Sequence, residues 1–237
     1  MNNSAILIGM KDKVIVITGA SKGLGEVLAT SLVSCGAKVV ISARDSASLN
    51  SIAKKIGAKA IVADVTDEKA VENLSHEVAS EYGRIDIWIN NAGIWLPHAA
   101  AEDIDMKRAH DVFEVNVFGL VYGCIAALKE MKKQGAGMIV NIVSTSALTG
   151  RPLSTIYSAS KHAAKGYTDS LREELKGTNI SVLGIYPGGM KTHLFDEKKP
   201  DDFDTYMTPE YVADKIVSNL QTERPETELI LKRPGQK

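Results

Sequence analysis

A tyrosine and a lysine four residues apart, Tyr157 and Lys161, could together transfer a proton. Residues with this spacing share one face of a helix, one turn apart. A phenol, whose pKa is about 10 in water, needs its anion stabilised before it can act near neutral pH. An ammonium about 4 Å away, at an effective dielectric constant of about 20, contributes roughly 4 kcal/mol, or about three pKa units. Ser144, 13 residues before Tyr157, adds a neutral hydroxyl for a carbonyl or alcohol oxygen, so the three residues predict a proton-transfer site that needs a hydride donor.

The same spacing occurs a second time, at Tyr211 and Lys215, so the spacing alone is weak support for catalysis. The two pairs differ in what precedes them. Ser144 precedes Tyr157 by 13 residues and follows a strand-like run, whereas Lys198 stands at the matching place before Tyr211. We therefore interpret Tyr211 and Lys215 as part of a solvated helix face.

Apolar runs alternate with helix-like segments along the chain, which is the pattern of βαβ units and a parallel sheet. Strands are predicted at residues 14–18, 38–42, 58–63, 86–89, 138–143, 181–186 and 228–231. Helices are predicted from the first glycine-rich turn to about residue 35 and at residues 47–56, 67–82, 104–133, 156–176 and 209–221, with Ser46 as the N-cap of the second. The length of 237 residues suits one α/β domain, so we predict a single domain over residues 1–237 that begins with a polar arm at residues 1–11.

Composition and charge exclude several classes of partner. The chain carries 28 basic and 29 acidic residues, so nothing in it favours a nucleic acid or a membrane surface. No signal peptide is recognisable, and no uninterrupted apolar stretch reaches the roughly 18 residues that would span a bilayer. Cys35 and Cys124 stand among apolar neighbours and are interpreted as reduced core residues. A cytoplasmic protein with no metal site is the expectation.

Three glycines follow the first predicted strand in the pattern Gly19-x-x-x-Gly23-x-Gly25. Between a buried strand and a helix, such a turn can place a dinucleotide pyrophosphate at the helix N-terminus. The spacing differs from the common G-x-G-x-x-G fingerprint. Taken alone, these glycines are therefore also compatible with a tight turn that binds nothing.

The glycine turn is the first of six signals that occur in chain order. They are Thr18-Gly-Ala-Ser-Lys-Gly-Leu-Gly25, Asn90-Asn-Ala-Gly93, Asn116, Ser144, Tyr157-x-x-x-Lys161, and Pro187-Gly188 followed by Thr192. Together they resemble the short-chain dehydrogenase/reductase family over residues 12–231. The resemblance implies an α/β, Rossmann-like fold with a doubly wound seven-stranded parallel sheet, and a nicotinamide cofactor along the carboxyl ends of its strands.

The resemblance also implies roles for individual residues. Tyr157 is the general acid in ketone reduction and the base in alcohol oxidation, while Lys161 lowers its pKa and binds the nicotinamide ribose. Ser144 orients the substrate oxygen, and Asn116 holds a water that links Lys161 to solvent; the alternative is an asparagine merely tolerated in a helix. The implied cofactor-binding set is Gly19, Ser21, Lys22, Gly23, Leu24, Gly25, Arg44, Asp64, Val65, Asn91, Ala92, Gly93, Tyr157, Lys161, Pro187, Gly188 and Thr192. Asn91 and Asp64 could instead be turn residues, and Thr192 resembles the residue that bonds the carboxamide.

The end of the second strand indicates which dinucleotide is preferred. NAD-preferring members of the family carry an acidic residue there, whereas this chain has Ala43 followed by Arg44. The planar fork of Arg44 could pair with a 2′-phosphate, and Lys22 adds a second cation. Each cation alone could equally be a surface charge, but with the carboxylate missing they favour NADP(H). Asp45 keeps NAD(H) open as the alternative.

The substrate is less well defined than the cofactor. Four residues could line a fairly apolar pocket, although each could also be ordinary core or lid packing: Trp95, Leu153, Met190 and Phe195. Residues 193–208 are predicted to form a mobile flap over the site, with five acidic residues against two lysines and a net charge near −3. That charge would repel an anionic thioester carrier.

Three functions follow, in order of preference. The first is an NADP(H)-dependent reductase or dehydrogenase acting on a small-molecule carbonyl or alcohol. A 3-oxoacyl-[acyl-carrier-protein] reductase is the second, and a non-catalytic dinucleotide-sensing protein is the third. Apolar residues on the helices of 104–133 and 156–176 exceed what contact with a sheet needs, so a homodimer or homotetramer is predicted.

Overall fold

Seven parallel strands form one sheet, in the spatial order β3-β2-β1-β4-β5-β6-β7. The structure is a computed structural model that describes residues 9–233. Its strands are β1 (Val14–Thr18), β2 (Lys38–Ala43), β3 (Lys59–Val62), β4 (Ile87–Asn90), β5 (Gly137–Ile142), β6 (Ile180–Pro187) and β7 (Glu228–Leu231). The strand order reverses between β1 and β4, which is the topological switch point where open α/β sheets bind ligands.

The central strands are continuous apolar runs because helices cover both faces of the sheet. All five residues of β1 and all four of β4 are buried. One layer of core lies under α1 (Gly23–Ser34), α2 (Ser46–Ile56) and α7 (Pro209–Leu220). The opposite layer lies under α3 (Glu68–Tyr82), α5 (Gly119–Gln134) and α6 (Thr155–Glu174). The prediction of a doubly wound, seven-stranded parallel sheet is confirmed.

The predicted helix of residues 104–133 is observed as three consecutive helical segments. These are α4 (Met106–Phe113), a π-helical segment (Glu114–Phe118) and α5. By length and composition alone, residues 106–134 could cross a membrane, although polar residues such as Asp111 and Asn116 interrupt them. The expectation that no apolar stretch reaches spanning length therefore does not hold for this helix. Slightly more than half of its most apolar window is buried inside the protein, as in the core helix of a globular domain.

Three details differ from the predictions at element ends. Asp45, not Ser46, is the N-cap of α2, and its carboxylate accepts hydrogen bonds from the N–H of Ala47 (3.0 Å) and of Ser48 (3.4 Å). Cys35 follows the last residue of α1 and is only partly buried, whereas Cys124 is fully buried in α5; both are free thiols. Most of the predicted N-terminal arm, residues 1–8, and residues 234–237 lie outside the described part of the chain.

Candidate active site

The carboxyl ends of β4 and β5 and the first turns of α6 bring the predicted catalytic residues together. Ser144 comes two residues after β5, and its backbone opens a 3-10 turn (Thr145–Ala147). Tyr157 and Lys161 lie one turn apart on α6. The Lys161 Nζ lies 5.7 Å from the centre of the Tyr157 ring and donates to the carbonyl of Ile142 (3.4 Å).

Burial distinguishes this pair from Tyr211 and Lys215, since the geometry is nearly the same. The Nζ of Lys215 lies 5.5 Å from the centre of the Tyr211 ring. Tyr211 is 45% exposed, whereas Lys161 is only 5% exposed. The interpretation of Tyr211 and Lys215 as a solvated helix face therefore agrees with the structure, and the two pairs share a spacing but not an environment.

The pKa values at the site are set mainly by burial. Burial raises the pKa of Tyr157 to about 12, and the hydrogen bond with Ser144 and the charge of Arg151 act in the opposite direction. Burial lowers the pKa of Lys161 to about 8. The sequence led us to expect that Lys161 would lower the tyrosine pKa below its value in water. Here the direction is the reverse, because removal of both groups from water disfavours the phenolate and the ammonium alike.

Ser144 is oriented by the turn that follows it. Its Oγ accepts a hydrogen bond from the N–H of Ser146 (3.0 Å), and the side chain is also hydrogen-bonded with Tyr157. Only 8% of Ser144 is exposed. The hydroxyl is thus held beside the phenol, as a group that orients a substrate oxygen must be.

Asn116 is buried within the π-helical segment and joins three parts of the site. Its Oδ1 accepts from the N–H of Ile94 (2.9 Å), and its Nδ2 donates to the carbonyl of Ile94 (2.9 Å) and to the Oγ of Ser160 (3.2 Å). A Cβ added at Gly93 would lie 3.3 Å from Asn116 Oδ1 and 3.7 Å from Lys161 Nζ. Asn116 is therefore not merely tolerated, and π-segments of this kind often mark functional sites. That it holds a water remains a prediction.

The glycine turn packs tightly against the segment that follows β4. Gly19 has a φ of +65°, and a Cβ there would lie 2.6 Å from the Cα of Ala92. A Cβ at Gly25 would lie 2.6 Å from the Nδ2 of Asn91. That same Nδ2 donates to the carbonyls of Thr18 and Gly19, both at 3.0 Å. Asn91 therefore holds the glycine turn in place.

The N-terminus of α1 suits a dinucleotide pyrophosphate. Lys22 is its N-cap but provides no side-chain cap, which leaves the backbone N–H groups of the first turn for an anion. At Gly23, with a φ of +63°, the nearest atoms to an added Cβ belong to Thr192 at 3.6 Å. The turn therefore lies close to Thr192, with room for no more than a methyl group between them. The buried side chain of Leu24 belongs to the core, so only its backbone could contact a cofactor.

The remaining residues predicted to bind the cofactor lie along the same edge of the sheet, in more than one kind of environment. Val65 is partly buried and lies 2.9 Å from a Cβ added at Gly119, so its side chain packs on α5. Pro187 ends β6, and the N–H of Gly188 donates to the carbonyl of Leu231 (2.8 Å). Ser21, within the glycine turn, and Ala92, which packs against Gly19, are both partly buried.

The charged groups beyond β2 and β3 interact with each other. Arg44 Nη1 lies 3.8 Å from Asp64 Oδ2, and both side chains are substantially exposed. Asp64 Oδ1 accepts from the N–H (2.9 Å) and the Oγ1 (2.8 Å) of Thr66, so Asp64 is also a turn residue. Asp45 is occupied as the N-cap of α2. Lys22, within the glycine turn, is exposed.

The four residues predicted to line the substrate pocket fall into two groups. Leu153 is 53% exposed, has a φ of +60°, and borders a cavity of about 10 Å³ beside Tyr157. Trp95 and Phe195 are buried and stack edge to face with ring centres 5.0 Å apart. Met190 packs against the core under α1 and α7 and pairs with Met207. Of these four residues, only Leu153 lines the cavity that Tyr157 also lines, and Phe195 joins the flap to Trp95.

Contacts hold the predicted flap, residues 193–208, against α4 and Trp95. Arg108 of α4 forms a two-bond ion pair with Glu197 (2.7 and 2.6 Å), and Arg233 pairs with Asp202 (2.5 Å). Phe203 and Tyr206 stack on Phe195 at 5.9 and 5.5 Å. The two arginines reduce the net charge around the segment from −3 to −1. Both the predicted mobility and the argument from charge are weaker than the sequence suggested, because the sequence does not show which distant cations pair with the segment.

One residue of the site was missed in the sequence. Arg151 lies between Ser144 and Tyr157, and its charge acts on Tyr157 and on Tyr206 of the flap. A cation within the 13-residue interval that joins the two predicted catalytic residues was the signal that could have indicated it.

Comparisons with known proteins agree on the family. The family model described as short chain dehydrogenase matches residues 13–202. An uncharacterized oxidoreductase of Staphylococcus saprophyticus is 38% identical over 194 residues, which cover 79% of this chain and 82% of the relative. An uncharacterized oxidoreductase of Staphylococcus aureus is 34% identical over 214 residues, covering 89% and 92%.

Two solved structures have the same fold. The 3-ketoacyl-(acyl-carrier-protein) reductase from Brucella melitensis, complexed with NADH, has a TM-score of 0.87 at 30% identity and covers 94% of this chain and 97% of its own. The alcohol dehydrogenase from the archaeon Thermococcus sibiricus, complexed with 5-hydroxy-NADP, has a TM-score of 0.87 at 26% identity and covers 96% and 99%.

Proposed function

This chain belongs to the short-chain dehydrogenase family, and from that premise we propose that it transfers a hydride between NADP(H) and a small to medium, fairly apolar carbonyl compound or secondary alcohol. One observation carries the proposal: a buried lysine, a phenol and a serine hydroxyl converge beside the glycine turn at the switch point of the sheet. A protein that only senses a dinucleotide needs the glycine turn but has no use for the buried phenol. The proton-transfer residues therefore favour an enzyme.

Tyr157 transfers the proton in the proposed mechanism. A bound nicotinamide supplies or accepts the hydride at the substrate carbon. Ser144 and Tyr157 both hydrogen-bond the substrate oxygen, and the phenol donates its proton as that oxygen gains charge during reduction. The phenolate that remains is stabilised by the charge of Lys161 beside it. Asn116 forms hydrogen bonds with the backbone of Ile94 and thereby fixes the segment beside Lys161.

Preference for NADP(H) is supported by the residues beyond β2. Ala43 is buried and uncharged, and Asp45 is engaged with α2, so neither offers a carboxylate for the ribose hydroxyls. The contact of Arg44 with Asp64 is 3.8 Å long and exposed, and such pairs contribute little. Arg44 can therefore turn to a 2′-phosphate at small cost. NAD(H) is the alternative, because Asp64 could then accept from the ribose.

A screen of small ketones, aldehydes and secondary alcohols, following NADPH absorbance, tests the proposal. We expect turnover of at least one carbonyl class with NADPH and slower turnover with NADH. No turnover with any carbonyl or alcohol, in a protein that binds NADPH, would instead support the sensing function.

A 3-oxoacyl-[acyl-carrier-protein] reductase is the second candidate. The reduced charge around the flap favours it more than the sequence did, because Arg108 and Arg233 offset two of the five acidic residues. The comparison that distinguishes the two is between a 3-oxoacyl group on acyl carrier protein and the same group on a short thiol. A large preference for the carrier protein would support the second candidate.

A further inference from the structure

Arg151 lies on the loop between Ser144 and Tyr157, and part of its guanidinium has no hydrogen-bond partner. It is partly buried, and its Nη2 donates to the Oγ1 of Thr145 (3.2 Å). Its Nε is buried and has no hydrogen-bond partner. A guanidinium carries five N–H donors in a planar fork that matches a carboxylate. Leaving a buried charged donor unsatisfied is costly, so this arrangement points to a ligand that completes it.

Arg151 differs in this respect from the other arginines. Of the seven arginines in the chain, five have a carboxylate partner within 4.0 Å: Arg44, Arg84, Arg108, Arg172 and Arg233. Among residues 9–233, neither Arg151 nor Arg224 forms an ion pair with a carboxylate, and Arg224 is exposed to water. Arg151 is thus the partly buried arginine whose charge no protein carboxylate balances.

The position of Arg151 relates it to the substrate and not to the dinucleotide. It lies on the loop between Ser144 and Tyr157, two residues before Leu153, which borders the cavity beside Tyr157. Its charge reaches Tyr157 on one side and Tyr206 of the flap on the other. A substrate whose oxygen meets Ser144 and Tyr157 would therefore have its next polar group near Arg151.

We propose that Arg151 binds a carboxylate of the substrate, so that the preferred substrates are oxo acids and the corresponding hydroxy acids, with an apolar chain against Leu153. This inference rests on the proposed function and narrows its substrate class. The reaction remains reduction of the carbonyl by the hydride donor with a proton from Tyr157, and the carboxylate is not consumed. Arg151 is a specificity-determining residue in this account.

The test compares 2-, 3- and 4-oxo acids with their methyl esters as substrates of the wild type, Arg151→Met, Arg151→Lys and Arg224→Met. We expect the wild type to prefer one acid over its ester by about tenfold in kcat/KM, mainly through KM. Arg151→Met should lower kcat/KM for that acid by roughly 10- to 100-fold, the size of a charge-assisted hydrogen bond, and lower it for the ester by a much smaller factor. Arg151→Lys should retain part of the preference, and Arg224→Met all of it.

Two results would overturn the proposal. The wild type could turn over every ester at least as well as its acid. Alternatively, Arg151→Met could lower kcat/KM equally for acid and ester, which would mean that Arg151 only supports Tyr157 or the loop.

A binding measurement separates these failures from failure of the proposed function. Pentanoate should bind the cofactor-loaded wild type more tightly than pentanamide in calorimetry, and Arg151→Met should abolish the difference. If no carbonyl is turned over but this binding difference exists, the proposed function fails and the carboxylate site stands; if the difference is absent, the carboxylate site fails.

Discussion

At the scale of single residues, burial decides which of two similar pairs can do chemistry. Tyr157 with Lys161 and Tyr211 with Lys215 have the same spacing and nearly the same separation. In the first pair Lys161 is buried and Tyr157 partly buried, and burial shifts the pKa of both, whereas Tyr211 and Lys215 are exposed. A spacing can be read from a sequence, but the environment that gives it chemical meaning comes from elements far away in the chain.

The low pKa of Lys161 gives a prediction for stability. At pH 7 the lysine is protonated in both the folded and the unfolded state, and folding places that charge in a poorly solvated site. Its pKa falls from 10.5 to about 8 on folding, so the unfolded state binds more protons between these values and stability rises with pH there. We expect Lys161→Met to stabilise the cofactor-free protein at pH 7 by about 2–3 kcal/mol, while it impairs turnover.

Urea unfolding of the wild type and Lys161→Met at pH 7 and pH 9.5 measures this effect. The advantage of the variant should shrink at the higher pH, because the wild-type lysine is then neutral when folded. Lys215→Met, on the exposed face of α7, is the control and should show no such change. A Lys161→Met protein less stable than wild type at pH 7 would mean that the ammonium is well solvated or paired.

Cofactor preference is also determined by single residues. Two charge-assisted contacts, from Arg44 and Lys22, could favour NADPH over NADH by roughly 100-fold, and exposure reduces that figure. Arg44→Ala should then weaken NADPH much more than NADH. Ala43→Asp should go further, because a carboxylate repels a 2′-phosphate and accepts from ribose hydroxyls. The measurement is kcat/KM with both cofactors, and equal efficiency in the wild type would contradict the assignment.

At the scale of elements, helix and strand positions were predictable because each depends on a pattern of apolar and polar residues close together in the sequence. The bounds of β1 and β7 agree with the sequence-based prediction, and each end of the other strands agrees within one residue. The N-cap of α2 was misplaced by one residue, since Asp45 and Ser46 are both good caps and only the backbone distinguishes them. The π-segment was not predictable, because the hydrogen bonds of Asn116 with Ile94 join residues 22 apart.

The glycine turn gives a prediction for one element junction. Gly19→Ala would place a methyl group 2.6 Å from the Cα of Ala92 in a left-handed conformation, so we expect a loss of more than about 2 kcal/mol. Gly166→Ala, in the middle of α6 with nothing near the added Cβ, should instead stabilise by about 0.5–1 kcal/mol. Urea unfolding of both variants tests this, and equal stability of the two would show that the turn has room to adjust.

At the scale of the whole molecule, the sheet and its layers could be predicted, but not the ion pairs that join distant parts. Right-handed crossovers between parallel strands limit the strand orders that this alternation allows, and the observed order is one of them. The pairing of Arg108 with Glu197 and of Arg233 with Asp202 depends on how the flap folds back, which no local pattern encodes. The effect of the flap's charge was therefore misjudged, and its place over the substrate remains a prediction.

Association of whole molecules is the fourth prediction. Met106 and Phe118, on the helix of residues 106–134, are 59% and 45% exposed, although both are large and apolar. We expect a homodimer or homotetramer that covers them. Light scattering at micromolar concentration should show at least twice the 25.5 kDa of one chain, and Phe118→Asp should shift the protein towards a monomer. Val62→Asp, at an exposed apolar residue of β3, is the control. A monomeric wild type would contradict the prediction.

Removal of the Tyr157 hydroxyl tests most directly the claim that this phenol transfers the proton. Tyr157→Phe keeps the ring, so NADPH should bind within about threefold of the wild-type Kd, measured by cofactor fluorescence. The rate of carbonyl reduction should fall at least 10²- to 10⁴-fold, the usual contribution of general acid catalysis. Tyr211→Phe, at the exposed pair, should leave both quantities unchanged. If Tyr157→Phe reduced carbonyls at near the wild-type rate while binding NADPH normally, another group would have to supply the proton and the account of the site would be wrong.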